Sequence, residues 1–512
     1  MGIRKNIINF MEDKVYKPML KEELAIQFGL EGKEMKAFYK VLEDMEKEGT
    51  IIKTRNERYG IVDKMNLIVG KLEGNEKGFG FLIPDDRTKE DVFIPAEEMN
   101  GAIHGDKVIV RIVSKGEPGR KEEGEVIRVL ERANETIVGT FESSKNFGFV
   151  VADDPRIAYD IFIPKADING AKTNQKVVVE ITRWPEKRRN PEGKVTEILG
   201  FVGEKGTDIL SIIKQFKLPE EFPDKVKEQA ETIEQTVKKE EIENRVDLRN
   251  LNAFTIDGAD AKDLDDAVSI EILDNGNYKL GVHIADVSHY VRERSALDKE
   301  AYKRGNSVYL IDRVIPMLPK ELSNGICSLN PNVDRLTLSV FMEIDKNGNV
   351  INHEIVEGVI RSKERLVYDD VSNLLENEDL EAARKLKNVS DDLKAMEKLC
   401  KILYEKREKR GSIDFDFPEA KIILDDDGIP VDIDKEDRRI ANRMIEEFML
   451  VCNETIAEHM YWAEMPFLYR VHEEPDIEKI NDFNKFIHNF GYVIKGTQEV
   501  HPKELQRLTK EV

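Results

Sequence analysis

A chain of 512 residues is too long for one ordinary hydrophobic core, and a 40% apolar share excludes a wholly disordered protein. No run of about eighteen apolar residues is present, which excludes a membrane-spanning helix, and the charged start MGIRKNIINFMEDK has no secretory signal core. The net charge of −22 is unevenly spread. Residues 1–200 carry 34 Lys+Arg against 36 Asp+Glu, which leaves 45 against 65 for residues 201–512, a net of −2 against −20. Three widely spaced cysteines (Cys327, Cys400, Cys452) lack metal-ligand spacing and read as free thiols of a reducing, cytoplasmic compartment.

Residues 1–64 predict three helices and a short hairpin. Leu24 and Phe28, then Phe38, Leu42 and Met45, have helical spacing, and IIKTRNERYGIV has the pattern of a wing. The arrangement resembles a winged helix, a fold associated with nucleic acid.

An internal repeat follows, over 65–133 and 134–200. VGKLEGNEKGFGFLIPDDRTKEDVFIPAEEMNGAIHGDKVIVRI is echoed by VGTFESSKNFGFVVADDPRIAYDIFIPKADINGAKTNQKVVVEI. Both copies alternate like short strands broken by Gly, Asp and Asn turns, so two small barrels are expected. Each has an FGF element and a later VFIP or IFIP element, which bring forward Phe79, Phe81 and Phe93, and Phe147, Phe149 and Phe162. Residues two apart on a strand share a face, and the intervening glycine is expected to keep that face open. Bases stack on such faces, with Lys77 and Lys145 placed for phosphates. These elements resemble the RNA-binding strands of cold-shock domains.

The charged segment RWPEKRRNPEGK reads as a loop, and residues 201–244 as a helical connector. From 245 to 512, strands, helices and acid-rich loops alternate. Within NAFTIDGADAKDLDDAVSIEIL, five aspartates (Asp257, Asp260, Asp263, Asp265, Asp266) fall in a loop between two stretches of strand composition. Carboxylates so close repel one another unless a cation compensates, and oxygen-only ligands select Mg²⁺, with Mn²⁺ as an alternative.

RVDLRNLNAFTIDGADAKDLDDA resembles the opening motif of the ribonuclease II and ribonuclease R exoribonucleases. VHIADVSHYV, SVYLIDRVIPMLPKELSNGICSLNP, ANRMIEEFMLVCNETIA and LYRVHEEP follow in the family's order. A winged helix and tandem cold-shock-type OB barrels ahead of the catalytic domain match the ribonuclease R branch. The resemblance implies a multidomain α+β protein and processive 3′-to-5′ hydrolysis of RNA, single-stranded or structured, to nucleoside 5′-monophosphates. It assigns Asp257, Asp263 and Asp266 to the metal and Asp265 to the chemistry, and leaves Asp260 without a role. Tyr309 matches the aromatic that positions the terminal base. Phe415 matches a second clamping aromatic, with Phe417 as the alternative, and Glu446, next to Glu447, matches a substrate-positioning glutamate. His283, His289 and His472 have no neighbouring nucleophile and read as structural. In such a mechanism the nucleophile is an activated water.

Two other readings compete. An RNA-binding protein with an inert second half explains residues 1–200 equally well but leaves the aspartate loop unexplained. A nuclease of the other four-acid exonuclease class would scatter its carboxylates instead of clustering them. The family's catalytic domain continues past its YR-x-H block to a motif like T-S-P-I-R-R-Y, absent before Val512, and then to an S1-type domain. The expectation is therefore an incomplete α/β catalytic domain with impaired hydrolysis and exposed apolar surface. A monomer that binds RNA and no membrane is expected.

Overall fold

The structure, a computed structural model, describes all residues except 1, 14, 55, 115–120, 187–188, 378, 416, 418, 426–427 and 497–499. Lys187 and Arg188 of the expected RWPEKRRNPEGK loop thus lie outside the described residues. The chain divides into two compact units, Met1–Leu218 and Pro219–Val512. Among the described residues, no helix is long and apolar enough to cross a membrane.

The first unit opens with helices Ile3–Glu12, Lys21–Gln27 and Lys33–Lys47 and a hairpin of Ile51–Lys53 with Tyr59–Ile61, the order the periodicity predicts. Leu24, Phe38, Leu42 and Met45 are buried together with Ile7, Met11 and Ile51, and Phe28 packs partly buried against them. Apolar spacing of three and four residues places these side chains on one stripe of each helix, and that stripe forms the core.

Two closed five-stranded barrels follow. The first is made of Leu67–Gly74, Gly80–Pro84, Val92–Ile94, Lys107–Ser114 and Glu123–Glu131. The second is made of Thr136–Ser143, Phe147–Ala152, Ile161–Pro164, Gln175–Arg183 and Glu192–Phe201. In both, the third strand pairs parallel with the fifth, Phe93 opposite Glu123 and Phe162 opposite Glu192, and closure leaves no sheet edge.

The FGF glycines play a different part from the one expected. A Cβ on Gly148 would lie 2.4 Å from the buried Phe141 ring, and one on Gly80 would lie 2.9 Å from Glu73 O and 3.1 Å from Leu72. These glycines face the crowded interior, and strand alternation turns the flanking phenylalanines outward.

Residues 201–244 do not form an independent connector. Helix Thr207–Gln215 packs on the second barrel, whereas Val226 and Ala230 of helix Asp224–Glu231 enter a core of the second unit.

The second unit is built on a five-stranded sheet in the order Val246–Asp247, Val350–Arg361, Asp334–Ile344, Tyr278–Ala285, Asp266–Ile272. All pairs are antiparallel except the first. Helices Tyr368–Asn377, Ser390–Arg410 and Ile440–Trp462 bury one apolar stripe each over Val268, Leu280, Val282 and Met342. A second, smaller core gathers Leu264, Ala267, Leu297, Leu322, Ile326 and Leu329. The strand carrying Asp266 thus contributes Val268 to one core and Ala267 to the other. Further along, helices Ile477–His488 and Pro502–Glu511 share a small cluster of Ile487, Ile494 and Leu508, and the segment before them leaves Leu468 and Val471 exposed.

Candidate active site and nucleic-acid faces

The aspartate loop joins strand Thr255–Asp257 to strand Asp266–Ile272, as composition predicts. Its ends are drawn together by reciprocal backbone hydrogen bonds between Phe254 and Val268, N–H to O at 3.1 and 3.0 Å. Phe254 and Val268 are themselves fully buried, so the loop cannot drift from its base. Its middle is held by one residue. Leu264 is buried in the smaller core, its N–H donates to Ser328 Oγ (3.1 Å), and its carbonyl accepts from Leu329 N (2.8 Å). Ser328 Oγ donates in turn to Lys262 O (3.0 Å), and Asp265 O accepts from Ala285 N (3.0 Å). On the other side, strand Arg365–Val367 pairs parallel with Thr255–Asp257, and Arg365 Nη2 donates to the carbonyls of Ala259 (2.7 Å) and Gly258 (3.3 Å).

The loop brings four carboxylates into one electrostatic neighbourhood. Burial, reinforced by Asp266, pushes Asp257 up to about 6. Burial and then the charges of Asp263 and Asp266 push Asp265 up to about 6, although its side chain keeps a solvent-facing side. Burial also raises Asp266. Asp257 Oδ2 is buried with no hydrogen-bond partner. Asp263 accepts a 2.6 Å hydrogen bond from Tyr309 Oη, and this bond first, with burial, pushes the phenol up to about 12. Tyr368, pushed to about 12 by burial and then by Asp257 and Asp266, packs nearby. Asp260 is exposed.

Among the described residues, no three His, Cys, Asp or Glu side chains are set to hold an ion. The donor set still fits a hard divalent cation: all donors are oxygens, their charges are partly desolvated, and a buried carboxylate oxygen of Asp257 has nothing to bind.

A second aromatic and acidic group lies on other elements. Phe415 and Phe417 stack in parallel, 5.3 Å between centroids and 6° between planes, and both are exposed. Neighbouring Asp414 accepts from Arg438 Nη1 (2.6 Å), and Arg438 also pairs with Glu446 through Nε at 3.1 Å. Glu447, adjacent in sequence, is buried and takes Arg407 at 2.6 Å, so it braces two helices.

The histidines have other partners. His283 is fully buried between Ser269 Oγ (3.0 Å) and Ser339 Oγ (2.9 Å), and burial pushes it down to about 4. His289 Nε2 meets Glu241 Oε1 at 2.9 Å, and His472 is exposed. The three cysteines are buried and free, their thiols pushed up to about 11 or 12 by burial.

On each barrel the three phenylalanines form one half-exposed face. Phe81 lies directly opposite Phe93 and Phe149 opposite Phe162. Centroids are 5.5–5.9 Å apart in the first triplet and 5.5–5.8 Å in the second. None belongs to a barrel core, and Lys77 and Lys145 are exposed beside them. Lys121 sits 4.9 Å from the Phe81 centroid.

Sequence reasoning missed Arg365, Ser328, Tyr368 and Arg438. Each lies 60 or more residues from the aspartates it touches or influences, or has an ordinary local pattern. Only the SNGICSLNP block, which contains Ser328, gave a signal.

Residues 245–512 match the RNB domain, 149–223 the cold shock domain and 70–129 the ribonuclease B OB domain. Ribonuclease R of Thermotoga maritima is 45% identical over 516 residues, spanning 99% of this chain and 71% of that protein. Ribonuclease R of Escherichia coli is 36% identical, spanning 97% of this chain and 61% of that protein. The chain thus spans 61 to 71% of the length of these two relatives. The structure of Mycoplasma genitalium RNase R in complex with ribose-methylated single-stranded RNA aligns with a TM-score of 0.79 at 29% identity, over 87% of this chain and 70% of that one. A yeast pseudonuclease, 20% identical with a TM-score of 0.64, shares the fold alone, and fold by itself does not carry activity.

Proposed function

The chain belongs to the ribonuclease R family of RNB-domain 3′-to-5′ exoribonucleases, which act in RNA degradation, and on that premise we propose that the aspartate loop is a Mg²⁺-dependent site for stepwise hydrolysis of RNA. The observation that carries this reading is the buried, partnerless Asp257 Oδ2, with Asp257 and Asp265 both pushed to about 6. Asp257, Asp263 and Asp266 would hold the cation, and Mn²⁺ could replace Mg²⁺ by its preference for the same oxygen ligands. When bound, such an ion activates water and neutralises charge developing on the phosphate.

The chain's own residues orient and retain the substrate. Asp265, fixed by its backbone bond to Ala285, aligns the terminal nucleotide against the phosphate under attack. Tyr309, 64% exposed, carries its ring towards a terminal base while its hydroxyl stays on Asp263, so base position and metal ligand are coupled. The parallel Phe415–Phe417 pair offers a flat face for a second base, with Phe415 as the clamp and Glu446 beside it. The barrel triplets offer stacking faces for single-stranded RNA upstream. The Mycoplasma genitalium relative is described in complex with single-stranded and with double-stranded RNA, and we carry both over as substrates. Processive release of nucleoside 5′-monophosphates in the cytoplasm completes the reading.

Single-stranded RNA labelled at either end tests it. With Mg²⁺, the 3′ label leaves first as a mononucleotide and EDTA stops the reaction. Internal cuts, early loss of the 5′ label, or full activity in EDTA would each overturn it.

A further inference from the structure

The second unit is strongly acidic, yet it contains a cavity of about 570 Å³ whose lining is cationic on balance. Lys401, Lys435, Arg438, Arg439 and Arg443 line it against Glu376, Glu397 and Asp437. Four of the five cations are matched. Arg439 pairs with Glu376 at 2.9 Å, Lys401 with Glu397 at 2.5 Å, Lys435 with Asp437 at 4.0 Å, and Arg438 with Asp414 at 2.6 Å. The start of helix Ile440–Trp462 is also occupied, since Ile440 N donates to Glu376 Oε1 (2.9 Å).

Arg443 is the exception. It forms no ion pair with another described residue, although its charge helps to hold Asp414 low, and its Nε is buried without a hydrogen-bond partner. A guanidinium N–H taken out of water without an acceptor carries its full desolvation penalty. The buried Nε is closed to a ligand, but the Arg443 Nη atoms also lack a hydrogen-bond partner among the described residues, and an anion with two oxygens in a plane would bridge them; phosphate has that geometry. The cavity also adjoins the proposed clamp, because Arg438 lines it while pairing with Glu446 and with Asp414, next to Phe415.

We propose that this cavity is a phosphate subsite centred on Arg443, which takes a backbone phosphate of the RNA held by the clamp. The inference rests on the RNA-degrading reading above and adds a contact outside the aspartate loop. A free nucleoside monophosphate presents the same chemistry, so the experiment has an arm for each source.

Full-length protein in EDTA binds a 5′-fluorescein single-stranded oligoadenylate, followed by anisotropy over a salt series. AMP binding is followed by calorimetry. The variants are Arg443→Gln and Lys435→Gln. Lys435 stands on an exposed hairpin, so its replacement leaves the core intact if Arg443→Gln proves unstable. The expected result is oligonucleotide binding weakened roughly tenfold by Arg443→Gln, a charge-assisted contact, and more mildly by Lys435→Gln. The slope of log affinity against log salt should fall by about one. Loss of AMP binding with unchanged oligonucleotide binding would overturn RNA as the source and assign the phosphate to a mononucleotide. Unchanged binding of both ligands by both variants would overturn the subsite. A parent protein that binds no oligonucleotide would instead defeat the reading on which the subsite rests.

Discussion

The barrel faces and the aspartate loop both hold side chains where solvation disfavours them, in opposite senses. On the barrels six phenylalanines stay half in water, while between Asp257 and Asp266 carboxylates are half out of it. The supports differ accordingly. A barrel face needs only strand alternation and a glycine on the inner side, so the same triplet recurs in both copies. The loop needs a clip from each flank, Ser328 on Leu264 and Arg365 on two carbonyls, because like charges would otherwise spread it. Exposed aromatic area costs little and can be repeated. Buried charge costs more, so the loop that carries it is braced by the strands and side chains around it.

That contrast predicts that the loop is sensitive to a change of charge at constant shape, whereas the barrels respond only to loss of area. Asp265→Asn is expected to lower RNA hydrolysis by about 10²–10³-fold or more, because a charge in a preorganised site is removed. RNA affinity in EDTA should hardly change. Single-turnover rates with end-labelled RNA measure this, and a rate within a few-fold of the parent would remove Asp265 from the chemistry.

For the barrels, Phe79→Ala combined with Phe149→Ala should weaken single-stranded RNA binding, since each stacked base contributes roughly 1–3 kcal/mol. Circular dichroism should show both barrels folded. An unchanged dissociation constant would make the triplets packing surfaces.

Between these lies the clip itself. Ser328→Ala leaves Leu264 N–H and Lys262 O without their partner, at a cost of about 1–3 kcal/mol in urea unfolding. Turnover should fall while affinity in EDTA stays, and equal stability of variant and parent would show that the loop does not depend on this clip. The smallest effect is expected from Tyr309→Ala, which should lengthen the shortest end product and leave initial affinity nearly intact. Identical limit products on a sequencing gel would remove Tyr309 from the clamp.

Local pattern determined a large part of this protein. Helical spacing at Leu24, Phe38, Leu42 and Met45 marked the second and third helices, and period-two alternation with Gly and Asp turns marked two barrels, because those residues bury one face in either element. The density of aspartates at 257–266 located the candidate site, since a loop of that composition has few other uses. Motif order across the chain gave the family. Tertiary structure decided what depends on distant partners. It split 201–244 between two units, turned the FGF glycines inward against Phe141 and Leu72, and gave Asp263 to Tyr309. It also separated Glu446 from Glu447, one half-buried beside Arg438 and the other in a buried pair with Arg407. None of these contacts leaves a trace in local periodicity, because each is set by which surface of one element meets another far along the chain.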